Sequence, residues 1–368
     1  MFDAVVVGSG LAGSTAARIL AEAGWRVLVL EKRRHIGGNV YDEKMDGITV
    51  HRYGPHIFHT KYKEVWDFLR KFARFRHYQH RVLSYVEGMY VSFPINVSTL
   101  RKVFGRPDLT IEGAKELLKE EVEKSSFNDP PRNFRDAVVS QVGERLYRLF
   151  FEGYTRKQWG RDPEELSPDL AKRIPIRFNF DDRYFSDPYQ GIPEGGYTEM
   201  VRRILDHENI SVALNVDYFE IRDMLKANLT VYTGKLDEFF DYSFGKLEYR
   251  SLRFETRIYE EEFYQPVAVV NYPSDYDFTR ATEYKHFLKE KSRRTVVVYE
   301  YPSAEGEPYY IVPSEENARR RERYMKEVEK LEKSGEYIFV GRLAEYRYYN
   351  MDEVVKRSME KLKERLSG

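Results

Sequence analysis

The 368-residue sequence contains no cysteine. This absence excludes disulfide bonds, thiolate metal sites and thiol nucleophiles, and a reducing compartment such as the cytoplasm is expected. An excess of one charge is also lacking, because 60 lysines and arginines balance 60 aspartates and glutamates. Nucleic acid is therefore not expected as the main partner, since binding to phosphate backbones normally requires a strong basic excess.

Long apolar runs are missing as well. No stretch of 18 consecutive apolar residues occurs, so the sequence predicts no membrane span. The apolar segment near its start is interrupted by glycines and by Arg18, and it is not expected to be a signal peptide. Zinc-type spacing is lacking too, because His56 and His59 have no third ligand close by. No metal site is therefore predicted.

Residues 4–31 predict a strand, a helix and a second strand. A β-branched run at residues 4–7 precedes apolar residues at helical spacing over residues 11–23. Gly24 then ends the predicted helix, and residues 27–30 predict a second buried strand.

Three glycines join the first predicted strand to the helix in the pattern G-x-G-x-x-G, as Gly8, Gly10 and Gly13. Between a strand and a helix, this pattern allows a tight turn and lets a pyrophosphate approach the backbone at the helix N-terminus. The carboxylate of Glu31, at the end of the second strand, is placed to accept a hydrogen bond from a ribose hydroxyl. We therefore predict a dinucleotide site, the alternative being a glycine-rich turn in an ordinary βαβ unit.

A second glycine turn follows and includes Lys32, Gly38 and Asn39. Its position predicts that more of the backbone packs along the same dinucleotide. Glycine doublets are also common in ordinary turns, which is the alternative interpretation.

Three later segments each have two interpretations. Residues 50–60 place His56 and His59 behind a Gly-Pro turn, which predicts a polar loop facing a ligand or a structural loop with incidental histidines. Residues 150–160 mix aromatic with polar and cationic side chains, as in stacking sites for a base or sugar, or in a buried helix end. Residues 167–177 carry arginines between prolines and predict a mobile lid or an ordinary solvated loop.

The remaining pattern predicts an α/β protein with a split Rossmann-like FAD-binding domain. Helical patterns lie between residues 98 and 165, strand-like runs dominate residues 249–301, and a closing strand and helix span residues 337–366. We therefore expect an inserted helical domain and an antiparallel β-sheet domain. The predicted domains are 1–76, 191–236 and 335–368 for FAD binding, 98–165 for the helices, and 77–97, 166–190 and 237–334 for the sheet with substrate-binding residues.

Nearly the whole chain resembles the prokaryotic UDP-galactopyranose mutases, through separated stretches that occur in the same order. Each stretch alone is short, but their order makes the resemblance specific. The stretches are YGPHIFHT (53–60), GYTRKQWG (153–160), RIPIRF (173–178), YQGIP (189–193), NY (271–272), TRATE (279–283), PYY (308–310), GR (341–342) and MD (351–352).

The resemblance implies an FAD-dependent isomerase that interconverts UDP-galactopyranose and UDP-galactofuranose, supplying galactofuranose for cell-surface glycans. In that family, N5 of reduced FAD attacks the anomeric carbon and there is no net redox change. It also implies priming by NAD(P)H or another reductant, a cytoplasmic location and a homodimer. An FAD-dependent oxidase or desaturase, and a non-catalytic flavin-binding or nucleotide-sugar-binding module, are the alternatives.

The resemblance also implies roles for individual residues. Arg173 on the predicted lid and Arg280 would bind the diphosphate, and His56 and His59 would lie beside the flavin; these four are the predicted catalytic residues. The predicted substrate-binding residues are Tyr154, Trp159, Tyr184, Asn271, Glu300, Tyr310 and Tyr349. The predicted cofactor-binding residues are Gly8, Gly10, Gly13, Glu31, Lys32, Gly38, Asn39, His56, Arg342 and Asp352. The chain departs from the family pattern after Tyr310, where Ile311 and Val312 precede the expected proline.

Overall fold

The computed structural model describes residues 2–174 and 176–367, without the side chain of Arg173. The strands are β1 Ala4–Val7, β2 Val27–Glu31, β3 Asp42–Met45, β4 Ile48–His51, β5 Phe58–Thr60, β6 Phe75–His77, β7 Val82–Val86, β8 Met89–Phe93, β9 Tyr189–Pro193, β10 Ile210–Leu214, β11 Leu229–Tyr232, β12 Tyr249–Tyr259, β13 Val269–Asn271, β14 Arg280–Glu283, β15 Thr295–Ser303, β16 Tyr310–Ile311 and β17 Tyr337–Phe339. The α-helices are α1 Leu11–Glu22, α2 Lys63–Arg70, α3 Val97–Val103, α4 Ile111–Glu123, α5 Phe134–Leu146, α6 Gly153–Trp159, α7 Tyr197–Leu205, α8 Tyr218–Ile221, α9 Leu236–Phe239, α10 Lys285–Leu288, α11 Glu315–Lys333 and α12 Met351–Ser367.

Five of the described strands form a parallel sheet in the order β10-β2-β1-β11-β17. One face packs against α1, α7 and α12 through residues such as Leu20, Ile204 and Leu362. The other face packs against α11, where Tyr324 and Val328 are fully buried. The fold is therefore α/β with helices on both sides of a parallel sheet, as predicted, and its strands come from distant parts of the chain.

The first strand-helix-strand unit was predicted almost to the residue. The predicted strands at 4–7 and 27–30 are β1 and β2, and the helix predicted over 11–23 is α1. The carboxyl ends of β1, β2 and β11 meet at one edge of the sheet, where ligands bind in open α/β folds.

Seven further described strands form a second sheet in the order β16-β12-β15-β14-β13-β7-β8. The prediction of an antiparallel sheet holds for all of these pairs but one, because β13 pairs with β7 in parallel. A parallel pair needs a long connection, and the helical block together with β9 to β12 lies between these two strands in the chain.

The helical block contains α3 to α6 around a separate apolar core that includes Leu100, Leu117 and Val139. The single helix predicted over residues 133–151 is wrong, because the structure breaks it at Gly143, where φ is 78°. A Cβ at that position would lie 2.8 Å from the backbone of Glu121, so α4 and α5 approach closely only at a glycine. A π-helical segment, Tyr147–Glu152, then leads into α6. The short helix α3 was not predicted.

Two further expectations concern the loops. Residues 50–60 are not one polar loop, since β4 ends at His51 and β5 includes His59. The predicted lid forms a 3-10 helix, Pro168–Arg173. The residue limits of the three proposed domains stay a prediction.

Two absences apply to the described residues. Among residues 2–174 and 176–367, no helix combines the length and apolarity needed to cross a membrane. The same ranges contain no cluster of three metal-ligating side chains.

Candidate active site

Two adjoining cavities lie between the parallel sheet, the seven-stranded sheet and α12. The first has a volume of about 240 Å³ and begins at the glycine turn after β1. The second has a volume of about 860 Å³ and lies against β13, β14 and the histidines around β5. Asn39, His56, Arg342 and Met351 line both cavities, so together the cavities form one continuous cleft.

The glycine turn gives the first cavity its backbone wall. Gly8 has a φ of +97°, and a Cβ there would lie 2.3 Å from the Thr233 hydroxyl. A Cβ on Gly13 would lie 1.9 Å from the carbonyl oxygen of Gly8, so α1 can pack this close to β1 only with glycine at that position. Gly10 is the N-cap residue of α1 and carries no side chain over the helix end. Backbone N–H groups and the positive end of the helix dipole therefore face the cavity.

The second glycine turn packs directly on the first. The Gly37 N–H donates to the carbonyl of Ser9 at 3.1 Å. A Cβ on Gly38 would lie 3.0 Å from the Cα of Gly10. Both turns line the same cavity, in agreement with the position of the second turn directly after Glu31.

Glu31 and Lys32 also line the first cavity. Glu31 Oε2 accepts hydrogen bonds from the backbone N–H and the hydroxyl of Ser9, at 3.0 and 2.7 Å. Its Oε1 accepts from the backbone N–H of Arg33 at 2.9 Å. The carboxylate therefore holds the glycine turn in place in addition to facing the cavity.

Arg342 and Met351, the first residue of α12, also line the first cavity, whereas Asp352, which was predicted to bind the cofactor, lines neither cavity. Arg342 donates to the carbonyls of Tyr309 and Tyr349, at 3.3 and 2.7 Å. Asp352, on the first turn of α12, is buried, and burial raises the pKa of its carboxyl group. Its Oδ1 has no hydrogen-bond partner among the described residues. Tyr349 lines this first cavity.

Arg280, the first residue of β14, lines the second cavity. Its Nη2 donates to the hydroxyl of Tyr154 at 3.1 Å, and its Nη1 lies 3.8 Å from Glu300 Oε2. Burial raises the pKa of Glu300, and the charge of Arg280 opposes that rise. The hydroxyls of Tyr184 and Tyr310 also interact electrostatically with this guanidinium.

Three polar atoms around Arg280 are buried and lack a hydrogen-bond partner in the described part of the chain. They are Nε of Arg280, Oδ1 of Asn271 and Oε1 of Glu300. The backbone brings these side chains together, because Asn271 and Glu300 both pair with Arg280 across adjacent strands. Buried polar atoms are normally satisfied, and Asn271 and Arg280 line the second cavity, so their unpartnered atoms indicate the position of a polar ligand. Glu300 lines neither cavity and reaches this position only through Arg280.

Two predicted histidines line the second cavity. His56 Nδ1 lies 2.8 Å from the carbonyl of Gly54, which can only accept, so this nitrogen carries the proton. Burial, together with the nearby charge of Arg342, lowers the pKa of His56 to about 4. Its Nε2 is therefore an acceptor at neutral pH. His59 Nδ1 lies 2.6 Å from Asp187, and its ring stacks on Phe185 with centroids 3.6 Å apart.

Among the five aromatic residues predicted to bind substrate, Tyr154 and Trp159 line neither cavity and Tyr349 lines the first, which leaves two at the second. Tyr184 and Tyr310 line it, and burial raises the pKa of Tyr184 to about 12, so its hydroxyl stays a donor. Trp159 contacts Tyr310 edge to face, with ring centroids 6.4 Å apart. The interpretation of residues 150–160 as a buried helix end also applies in part, because Phe150 and Phe151 are buried in the helical block.

Arg173 ends the 3-10 helix of the predicted lid, but its side chain lies outside the described residues.

Several lining residues were missed by the sequence interpretation. His80 is buried beside His59 and Arg280, and burial lowers its pKa to about 3. Glu353 lines the second cavity, and Thr233 lines the first. No local motif marks these positions, since the fold brings them to the cleft from separate segments.

Comparison with known proteins agrees with this geometry. Residues 149–348 match the family described as UDP-galactopyranose mutase, and residues 6–72 match the NAD(P)-binding Rossmann-like domain. A probable UDP-galactopyranose mutase of Klebsiella pneumoniae is 40% identical over 99% of this chain and 94% of its own length. The dTDP-fucopyranose mutase of Escherichia coli is 37% identical over 98% of this chain and 97% of its own length.

A solved structure supports the same fold. The crystal structure of a reduced UDP-galactopyranose mutase has a TM-score of 0.77, covering 100% of this chain and 96% of that chain at 16% identity. The near-full-length relatives at 40% and 37% identity establish the family, and the shared fold of the solved structure agrees with it. The chain belongs to the UDP-galactopyranose mutase family and is an isomerase.

Proposed function

We propose that the protein interconverts UDP-galactopyranose and UDP-galactofuranose with reduced FAD in the first cavity. The observation that carries this proposal is the position of Arg280, whose guanidinium lies between Tyr154 and Glu300 in a cavity continuous with a dinucleotide site. A buried cation beside tyrosine hydroxyls suits a diphosphate, because charge-assisted hydrogen bonds to phosphate are strong in such surroundings.

The residues of the first cavity fit FAD. The close glycine turns leave room for a pyrophosphate against the backbone, and Glu31 and Asn39 would contact the ribitol or ribose side. Arg342, His56 and the first turn of α12 would surround the flavin ring, at the junction with the second cavity. When bound and reduced, FAD supplies a nucleophilic N5 for the anomeric carbon of the sugar, with no net redox change.

Arg280 would stabilise the charge that develops on the UDP diphosphate as the bond to the sugar breaks. Its contacts hold the guanidinium in place before the substrate binds, so little reorganisation is needed. The hydroxyls of Tyr184 and Tyr310 would donate to the same phosphates. Arg173, on the 3-10 helix, would add a second cation by its position in the family motif.

Asn271 and Glu300 would bind the sugar hydroxyls. Their buried, unpartnered oxygen atoms are acceptors, and sugar hydroxyls are donors. The neutral ring of His56 would accept a hydrogen bond through Nε2, and the Asp187 carboxylate would fix the ring of His59.

A second candidate substrate is dTDP-fucopyranose. The near-full-length similarity to the dTDP-fucopyranose mutase of E. coli favours it, at an identity close to that of the Klebsiella protein. The chemistry is the same, and the two substrates differ in the base and in the sugar. Equal amounts of the two nucleotide sugars in one assay would decide which is preferred.

The experiment that tests the function is chromatography of UDP-galactofuranose after incubation with the protein, oxidised or reduced by dithionite. We expect UDP-galactopyranose only with reduced protein. Formation of hydrogen peroxide with a simple amine would instead favour an oxidase, and a yellow protein inert with both nucleotide sugars would favour a binding module.

The remaining expectations follow from the family resemblance. We propose that NAD(P)H or another cellular reductant primes the flavin, that the protein works in the cytoplasm and that it forms a homodimer. Sedimentation of the flavin-loaded protein would test the last of these, because a dimer doubles the mass of 43.8 kDa per chain.

A further inference from the structure

The helix α6 carries Tyr154 and Trp159 and is joined to the seven-stranded sheet by the side chain of Lys157. Its Nζ donates to the carbonyls of Tyr272, Tyr276 and Phe278, at 2.5, 2.9 and 3.1 Å. These carbonyls belong to the 272–279 turn, which connects the end of β13 to the beginning of β14. A single side chain thus uses all three of its N–H donors on one turn.

The 272–279 turn sets the position of two residues proposed to bind substrate. Asn271 is the last residue before it and Arg280 the first after it, and the two pair across β13 and β14. The Tyr272 N–H donates to the Thr279 carbonyl at 2.9 Å and closes the turn. The turn therefore adjoins both residues and, through Lys157, is joined to α6.

Two other contacts hold α6 against the same region. A Cβ on Gly153 would lie 2.4 Å from the carbonyl oxygen of Pro273, so the helix begins in direct backbone contact with the turn. At the other end, Arg250 from β12 donates to the carbonyl of Gln158 at 2.9 Å. Neither contact fixes the middle of the turn, where the carbonyls of Tyr276 and Phe278 face the ammonium of Lys157.

We propose that Lys157 is a positioning residue for nucleotide-sugar binding, which sets the distance between the Tyr154 hydroxyl and the Arg280 guanidinium through the 272–279 turn. The proposal rests on the proposed function, because it assumes that Arg280 binds the diphosphate. Lys157 itself does not line either cavity. Its effect on substrate is transmitted by the turn and by the 3.1 Å contact between Arg280 and Tyr154.

The protonation state of Lys157 adds a measurable property. Burial lowers the pKa of Lys157 to about 8, against the opposing charges of Asp277 and Asp275 on the turn. The other groups packed around it are Arg250, which reaches its backbone carbonyl at 3.4 Å, and Tyr272, whose pKa burial raises. An ammonium has three N–H donors and a neutral amine has two, so one carbonyl of the turn loses its donor as the pH rises through 8.

A second lysine provides a matched control. Lys285 Nζ donates to the carbonyls of Glu262 and Ser292, at 2.7 and 2.6 Å, and more distantly to that of Arg294. Like Lys157, Lys285 is an ammonium that donates to three backbone carbonyls, and it is buried. It contacts neither α6 nor the 272–279 turn through these bonds, and it lines neither of the two cavities. Lys285→Met should therefore lower the melting temperature without changing nucleotide binding.

The experiment is a titration of UDP into flavin-loaded protein, so that it does not depend on turnover. We expect Lys157→Met to raise the Kd for UDP about tenfold, because a displaced Arg280 would lose one charge-assisted hydrogen bond to the diphosphate. Lys285→Met should change this Kd less than about twofold, within the usual effect of a distant site. Equal UDP affinity in Lys157→Met and the wild type would overturn the proposal.

The wild type gives a test that requires no variant. Its Kd for UDP should rise between pH 7.5 and 9 as Lys157 loses a single proton with a pKa of about 8. Lys157→Arg stays charged and should therefore bind UDP with the same affinity across that range. If Lys157→Met does not retain flavin, this comparison decides, and a pH-independent wild type would contradict the proposal. Wild-type protein that does not bind UDP at any pH would instead contradict the proposed function.

Discussion

The two cavities of the cleft are built in different ways. The first has a backbone wall at its glycine turns, beside side chains such as Glu31 and Arg342. This wall is tightly packed, because a Cβ at Gly8, Gly13 or Gly38 would lie 1.9 to 3.0 Å from a neighbouring atom. The second is formed by charged, polar and aromatic side chains from separate segments, several of which leave buried polar atoms without a partner in the described residues.

This difference indicates a division of labour. A backbone surface suits a cofactor that stays bound, because its N–H groups are fixed by the fold and carry no flexible side chains. A surface of side chains suits a substrate that binds, reacts and leaves, because charge and hydrogen bonds can be placed where charge develops. Substitutions in the first cavity should therefore remove the flavin, and substitutions in the second should remove turnover while the flavin remains.

The largest effect is expected from Gly13→Ala. The new Cβ would lie 1.9 Å from the carbonyl oxygen of Gly8, so α1 must move away from β1 and open the pyrophosphate site. We expect a purified protein that retains almost no flavin absorbance. Gly24→Ala is the control, because that glycine has a φ of +88° but open space around it. It should cost about 1 to 2 kcal/mol of stability and keep the flavin, and a yellow Gly13→Ala protein would contradict the account.

The next effect is expected from Arg280→Ala. Removal of the guanidinium takes away the charge that would stabilise the leaving diphosphate, and we expect kcat/KM to fall about 10²- to 10³-fold. The flavin spectrum should not change, because Arg280 does not line the first cavity. Arg173→Ala is expected to act in the same way.

Arg253→Ala is the matched control for these arginines. Arg253 lies on β12 of the same sheet, but it is exposed and stacks on Tyr301, with its guanidinium 4.0 Å from the ring centroid. This variant should keep wild-type turnover. Near-normal kcat/KM in Arg280→Ala or Arg173→Ala would show that the diphosphate-binding assignment is wrong.

A smaller effect concerns pH and the buried His80. Burial lowers the pKa of His80 to about 3 in the folded protein, whereas an unfolded chain binds the proton below about 6.5. As pH falls from 6.5 toward 3, the unfolded state therefore binds more protons and the free energy of unfolding decreases, by about 1.4 kcal/mol per pH unit for this one group. His80→Asn should reduce that slope in urea denaturation, and an unchanged slope between pH 6.5 and 5 would contradict the burial of a neutral histidine.

The smallest effect is expected from Glu31→Gln. The amide keeps one acceptor oxygen, but its NH₂ group faces an N–H donor of Ser9 or Arg33. We expect FAD to bind about tenfold more weakly, as one hydrogen bond to a charged group is lost. Glu22→Gln, on the exposed surface of α1 beside Arg18, should leave the affinity for FAD unchanged.

The comparison of the cavities also explains what could be predicted from the sequence. The first cavity follows from a local pattern, because Gly8, Gly10 and Gly13 lie between a strand and a helix whose periodicity is clear. The second depends on contacts between distant segments. The family resemblance supplied residues such as Arg280, but residues without a motif, such as His80, could not be found.

Secondary structure shows the same limit. Periodicity predicted α1, α4 and α12 well, because each has an apolar stripe that packs against its own layer. It did not predict the break at Gly143, since the left-handed backbone there is required by the close approach of Glu121. The parallel pairing of β13 with β7 was also missed, because strand order depends on the path of the whole chain and not on local periodicity.

The central claim is that a flavin held by the first cavity acts as a nucleophile toward a sugar held by the second. The most direct measurement follows the flavin absorbance and the conversion of UDP-galactofuranose in the same anaerobic sample of dithionite-reduced protein. We predict many turnovers to UDP-galactopyranose for each flavin while the flavin stays reduced. Oxidation of one flavin for each sugar consumed, or no conversion by fully reduced protein, would contradict the account.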